Sequence, residues 1–212
     1  LLIEGHVQYQ FMTIEQIERF YSSFYPNWKR EAYYELMSRL QVAPKQRINR
    51  MSCGQRSQVA LGLILAQDPE VLVLDDFSLG LDPGYRRLFV DYLREYAKAE
   101  NKTVFLTSHI IQDMERLIDD CIIMDYGRIL IQMPVDELLG KFRRYTGNVR
   151  EGFDAKFDAT IYNLSVMRSS LEAFSMEPEE AVIKQLGANG VKNIVAERVS
   201  LEDAFIGLTG KY

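Results

Sequence analysis

The sequence predicts an α/β fold, a parallel sheet with an α-helical unit ahead of it and a small α+β region after it, on three observations. Val71-Leu72-Val73-Leu74 is a continuous apolar run after Asp68-Pro69 that ends in Asp75-Asp76, the pattern of a strand buried on both faces. Thr103-Val104-Phe105-Leu106-Thr107 reads as a second buried strand. Between them an amphipathic helix is expected over Tyr85 to Ala99, with Leu88, Phe89, Tyr92, Leu93 and Tyr96 on one side. A further helix is expected over Ile110 to Ile118, followed by strands at Cys121 to Met124 and Arg128 to Ile131 joined through Tyr126-Gly127. Strand, helix, strand, helix, strand implies a parallel sheet with right-handed crossovers.

Ahead of the sheet, Thr13 to Tyr25 reads as a helix. Ile14, Ile17, Phe20, Tyr21 and Phe24 share a face, and Thr13 serves as N-cap. Tyr25-Pro26-Asn27-Trp28 breaks it. A second helix is expected from Lys29 to Leu40, with Ala32, Tyr33, Leu36, Met37 and Leu40 inward, and a third from Ser52 through Leu65. Beyond Pro134 the expectation is an α+β region. Helices fall at Val135 to Phe142, at Pro178 to Leu186 (stopped by Gly187) and at Ser200 to Leu208, and a strand at Val191 to Glu197. Thr146 to Phe174 is read as one or two strands and a helix.

With 212 residues, 47% of them hydrophobic, the chain can bury the core of one large domain or of a domain with an appendage. Lys and Arg number 25 against 30 Asp and Glu, a net charge of -5. That balance argues against a nucleic-acid scaffold, which shows a basic face. The longest apolar run, near Leu61 to Ala66, falls far short of the ~20 residues that cross a bilayer. No secretory signal is visible, and the chain opens on Leu1-Leu2 rather than Met, so it is expected to be a fragment. Cys53 and Cys121 read as reduced thiols of a cytosolic protein, with a disulfide as the alternative.

Four short elements carry candidate chemistry. Met51-Ser52-Cys53-Gly54-Gln55 opens a helix, and free N–H groups with the helix dipole make such an end an anion site. Gly54 allows close backbone approach, and Ser52 can cap the helix and donate to a phosphate oxygen; an ordinary N-cap is the plain alternative. Asp75-Asp76 at the end of a buried strand sit where α/β proteins bind ligands. One acid can hold Mg²⁺ and the next can orient or deprotonate a water; a solvated loop is the alternative. Leu79-Gly80-Leu81-Asp82-Pro83 is by itself a turn and a helix start. His109, just after Thr107-Ser108, could meet a γ-phosphate or be structural.

Jointly, these elements resemble the ABC ATPase family in order and spacing: signature, Walker B, D-loop and switch histidine. Within it the chain is most similar to ATPase subunits of ABC-2-type exporters. The features that point there are Phe24-Tyr25-Pro26-Asn27-Trp28 and the terminal Val199-Ser200-Leu201-Glu202-Asp203-Ala204-Phe205. The resemblance implies a P-loop NTPase (RecA-like) fold, incomplete here. Residues 1–12 would end the Q-loop region, 13–66 form the helical subdomain with the signature, 67–133 the C-terminal half of the ATPase core, and 134–212 an accessory or regulatory domain. It further implies that Ser52, Gly54 and Gln55 reach the γ-phosphate of ATP held by a second ATPase subunit, identical or not, in a head-to-tail dimer. Asp75 would support Mg²⁺, Asp76 takes the place of the catalytic glutamate, His109 is the switch residue and Asp82 signals across the interface. Glu4 falls at the Q-loop position. The implied partner is a membrane permease, and the implied location is the cytoplasmic face of the membrane, with no nucleic acid involved.

The departures set further expectations. No Gly-x-x-Gly-x-Gly-Lys-Ser/Thr occurs; the Gly-Lys pairs at Gly140-Lys141 and Gly210-Lys211 lack the preceding glycines, so no loop is seen to cradle the α- and β-phosphates. The missing part is expected upstream, and the chain alone is expected to be inactive. Asp76 is a methylene shorter than glutamate, and reach comes first in general-base catalysis. Phe77-Ser78 stands for the family's Pro-Thr, and Cys53 for the first signature glycine. Two further readings stand beside the exporter ATPase: a degenerate, non-hydrolysing nucleotide-binding subunit paired with an active partner, and an ABC protein of DNA repair or translation. The acidic balance and the exporter-like C-terminus count against the last.

Overall fold

The computed structural model describes residues 9–39, 41–77, 81, 83–154 and 156–210. The chain forms two compact units, Leu1–Leu117 and Ile118–Tyr212.

In the first unit, α1 (Ile14–Ser22), α2 (Arg30–Arg39) and α3 (Cys53–Leu65) make the helical part. α1 starts where a capping box satisfies two otherwise orphaned donors. Thr13 Oγ1 accepts from the Gln16 N–H at 3.2 Å, and Gln16 Oε1 accepts from the Thr13 N–H at 3.0 Å. The helix ends at Ser22, short of the expected Tyr25, and only the first part of the apolar face is covered: Ile14 and Ile17 are fully buried, whereas Phe20 and Phe24, read from the sequence as sharing that face, stay exposed. α2 buries Tyr33, Leu36 and Met37 as expected, and the Tyr33 hydroxyl donates to the Ile14 carbonyl at 3.0 Å. At Gly62 on α3 a Cβ would lie 3.0 Å from the Tyr33 ring and 3.2 Å from Met37, so the absent side chain lets α2 and α3 approach.

β1 (Val71–Asp75) and β2 (Thr103–Thr107) pair in parallel, with Val71 beside Thr103 and Asp75 beside Thr107, and α4 (Pro83–Ala99) connects them. α4 buries Phe89, Val90, Tyr92, Leu93 and Tyr96. The expectation that both strands are buried on both faces is corrected. Leu72 and Leu74 are buried, but Val71 is 55% and Phe105 54% exposed, because the described elements cover one face of this two-stranded sheet. The helix expected over Ile110 to Ile118 is a single 3-10 turn, Ile111–Asp113. There the Ser108 hydroxyl takes the Ile110 N–H at 3.0 Å, a local bond that competes with helix nucleation.

The second unit opens with the antiparallel hairpin β3 (Asp120–Asp125) and β4 (Arg128–Pro134). Tyr126 and Gly127 both have positive φ, 44° and 73°, as a two-residue hairpin turn of matching twist requires. The third strand thus pairs with its successor rather than extending the described parallel sheet. After α5 (Val135–Lys141) come β5 (Arg143–Asn148), β6 (Tyr162–Met167), β7 (Ser170–Ser175), α6 (Glu179–Ala188), β8 (Lys192–Arg198) and α7 (Leu201–Thr209). The sheet order is β6-β7-β5-β8, all neighbours antiparallel.

One core gathers Tyr145, Leu171, Ala173, Val182, Leu186 and Val191. The expected α+β character holds, with two local corrections. Residues 146–174 contain no helix among the described residues; they hold the tail of β5, β6 and most of β7, with an irregular connection between β5 and β6. Gly187 does not stop α6, which runs to Ala188; the chain turns at Gly190, whose φ is 91°.

Candidate functional site

The parallel register brings the ends of β1 and β2 side by side and with them three of the residues singled out from the sequence. Thr107 Oγ1 donates to Asp75 Oδ1 at 2.6 Å. The Asp76 N–H donates to the Thr107 carbonyl and reaches Thr107 Oγ1, each at 3.1 Å. Asp76 itself has φ of 42°, a left-handed conformation that Asp tolerates better than most residues. Its carboxylate turns toward the following loop, where Asp76 Oδ2 lies 2.8 Å from His109 Nδ1. The other oxygen, Asp76 Oδ1, is buried and has no hydrogen-bond partner among the described residues. Buried acceptors almost always have one. His109 is 59% exposed beside it.

Among the described residues no three His, Cys, Asp or Glu side chains are grouped to hold a metal by themselves. That donor set does suit Mg²⁺, which takes one or two carboxylates from a protein and completes its shell with water and phosphate oxygens.

Ser52, Gly54 and Gln55 form a second group, at the start of the 13-residue α3. Ser52 Oγ accepts from the Gln55 N–H at 3.2 Å, and Gln55 Oε1 accepts from the Ser52 N–H at 3.1 Å, so both side chains are engaged in a capping box. Gly54 has a packing reason as well as the expected one: a Cβ there would lie 3.0 Å from the Tyr85 ring. Fully buried Gln58, one turn on, donates from Nε2 to the Tyr85 carbonyl at 3.4 Å. The start of α3 is therefore packed against the first turn of α4. Cys53 is exposed and Cys121 buried, both free; the disulfide alternative does not form. Asp82 and Glu4 lie outside the described residues.

Thr107, Gln58 and Tyr85 were not read from the sequence as site residues. Thr107 is detectable only through the pairing of β1 with β2, and Gln58 only as a polar residue inside an apolar run.

The aromatics before α2 divide. Trp28 turns inward and donates from Nε1 to buried Glu18 at 2.9 Å. Phe24 is 64% exposed and joins a surface cluster in which Tyr9 meets Phe11 and Phe20 edge-on, and Phe20 meets Phe24, with centroids 5.2 to 6.1 Å apart. No helix among the described residues is long and apolar enough to cross a membrane.

A family model described as "AAA domain, putative AbiEii toxin, Type IV TA system" matches residues 41–112, the stretch that holds every described site residue above. Among curated proteins, the Nod factor export ATP-binding protein I of Rhizobium meliloti is 30% identical over 180 residues, 82% of this chain and 53% of the relative. That of Rhizobium sp. (strain N33) is 29% identical, over 82% of this chain and 58% of the relative. The chain thus spans little more than half the length of these relatives. Among solved structures, an ATP-binding subunit of an ABC transporter superposes with TM-score 0.55 and 24% identity, over 65% of this chain and 59% of that one. The cbiO1 protein of Clostridium perfringens, part of the ABC transporter complex cbiONQ, gives 0.52 and 23%, over 61% of this chain and 54% of that one. These likenesses show the fold, the one seen in ATP-binding subunits of ABC transporters, as the order of motifs implied.

Proposed function

Because the chain is related by sequence and by fold to the ATP-binding subunits of ABC transporters, we propose that it is part of the ATP-binding subunit of an export system of the ABC-2 type. The whole subunit couples ATP binding and hydrolysis to a separate membrane permease, on the cytoplasmic face of the membrane. The observation that carries this reading is the meeting of Asp75, Asp76 and His109 at the C-terminal ends of two parallel strands.

In this proposal Asp75, whose carboxylate is held by Thr107 at the end of β1, supports Mg²⁺. The ion, when bound, supplies charge neutralisation on the phosphates. Asp76 orients or deprotonates the attacking water, and His109, which already holds one oxygen of that carboxylate, contacts the γ-phosphate. Ser52, Gly54 and Gln55 address nucleotide on a second ATPase subunit, and Asp82 and Glu4 keep their interface and Q-loop roles. Residues 13–66 serve as the helical subdomain, 67–133 as the core half and 134–212 as the accessory domain. The surface cluster of Tyr9, Phe11, Phe20 and Phe24 is the contact for the permease. With no Gly-x-x-Gly-x-Gly-Lys-Ser/Thr in its 212 residues, the chain alone binds ATP poorly.

A second reading, a clamp that binds nucleotide without hydrolysing it, is favoured by the short Asp76 side chain and its engagement with His109 at 2.8 Å. ATP turnover of the whole subunit decides between them, with Asp76→Glu and Asp76→Asn alongside. Turnover that falls about 100-fold or more in Asp76→Asn supports the hydrolytic reading, since a positioned base contributes roughly that much. No turnover in the parent and a strong rise in Asp76→Glu supports the clamp.

A further inference from the structure

Thr107 belongs to none of the motifs, yet its side chain touches both acids. The register sets it beside Asp75. Its hydroxyl donates to Asp75 Oδ1 at 2.6 Å and accepts the Asp76 N–H at 3.1 Å. A hydroxyl has one proton and two lone pairs, so it can make both bonds at once. Its β-branched carbon restricts χ1, which aims the oxygen from a rigid strand.

We infer that Thr107 is a positioning residue for the cation and water chemistry of the Asp75–Asp76 pair. Its bond to Asp75 fixes the plane of that carboxylate and leaves the second oxygen for a cation. Its contact with the Asp76 amide, shared with its own carbonyl, holds Asp76 at positive φ. That backbone turn accompanies the side chain's approach to His109 and the burial of Oδ1. One hydroxyl therefore sets the relative placement of the two acids, a task neither can perform for itself. This inference rests on the reading of Asp75 as the Mg²⁺ residue.

The test uses Mn²⁺ alone, titrated into the ¹⁵N-labelled 212-residue chain, with paramagnetic broadening of amides at the ends of β1 and β2 as the readout. Thr107→Ser keeps the hydroxyl, and Thr107→Val keeps the shape without it. Thr107→Ser should bind within about twofold of the parent, and Thr107→Val about 10-fold more weakly, the usual scale for a partner that orients a metal ligand. In Thr107→Val the Asp76 amide should also exchange faster while the rest of the β1–β2 ladder keeps its protection.

A folded Thr107→Val that binds Mn²⁺ like the parent overturns the inference, as does a folded Thr107→Ser that loses the ion. If Thr107→Val does not fold, Thr107→Ala takes its place and is judged by the same criterion. Asp75→Asn separates the two levels: if it binds Mn²⁺ as well as the parent, the functional reading itself fails and this inference with it.

Discussion

The Tyr85 ring occupies the space that a side chain on residue 54 would need: a Cβ built on Gly54 would lie 3.0 Å from Tyr85 Cδ2 and 3.2 Å from Cγ. The glycine that opens α3 is thus held by α4, not only by the ligand chemistry its motif suggests. Gly54→Val should cost about 1–3 kcal/mol through overpacking, read as a lower midpoint in urea unfolding. The double variant Gly54→Val/Tyr85→Ala should recover part of that loss; no recovery would mean the cost arises elsewhere.

Glu18 is 2% exposed and accepts from Trp28 Nε1 at 2.9 Å and Arg30 Nε at 3.1 Å. It ties α1 to the segment that enters α2. Glu18→Ala leaves a part-buried indole N–H without its acceptor, so it should lower stability by about 1–3 kcal/mol. Arg30→Ala should cost less, because that guanidinium is 60% exposed. Equal losses in thermal unfolding of the two variants would refute the assignment.

Asp68 Oδ1 lies 2.7 Å from Lys102 Nζ and 3.1 Å from Lys29 Nζ, and Lys29 also reaches Glu100 at 2.9 Å. The Lys102 and then the Lys29 ammonium hold the Asp68 carboxyl below its ordinary value, while Glu100 and then Asp68 push Lys29 up. A depressed folded-state carboxyl contributes stability above its unfolded pKa and loses it as pH falls through the folded one. A raised lysine contributes below its unfolded pKa and loses it as pH rises through the folded one. Asp68→Asn should therefore cost up to about 1 kcal/mol near neutrality, in keeping with a partly exposed pair. The difference from the parent should vanish in acid below the carboxylate range and shrink in high salt. A cost that persists at low pH would mean packing, not charge.

Phe11 and Phe24 are 66% and 64% exposed, so Phe11→Ser/Phe24→Ser should leave the unfolding midpoint within about 0.5 kcal/mol per site of the parent. If the cluster docks the permease, association measured with the whole transporter should weaken about 30-fold or more, the scale of an aromatic interface anchor. Unchanged association would move the docking surface elsewhere.

Features carried by neighbouring residues were legible in the sequence. Thr13 and Ser52 cap where expected because a capping box is written within four residues, and Ser200 does the same for α7. Asp75, Asp76 and His109 were legible as a group at one edge because strand ends in α/β folds place side chains there. Thr107 was not, since its bond to Asp75 spans 32 positions and exists only once β1 and β2 pair in this register. Phe20 lies on the apolar face of α1 and Phe24 just past its end at Ser22; periodicity says which residues share a face, not how far along the chain that face is covered. In the stretch through β6 and β7 the strands were expected but a helix was expected with them, because Leu, Met, Ala and Glu in it also suit helices.

The completed cap at Ser52 and Gln55 bears on how the start of α3 would take a phosphate. Both side chains already bond each other's backbone, so a ligand that recruits either one does so by exchange, not by addition. The net affinity from such a trade is small; what it yields is discrimination, because only a ligand oxygen placed as well as the displaced backbone partner can complete it. Ser52→Ala should then relax the choice among nucleotides and their analogues more than it weakens binding of any one of them.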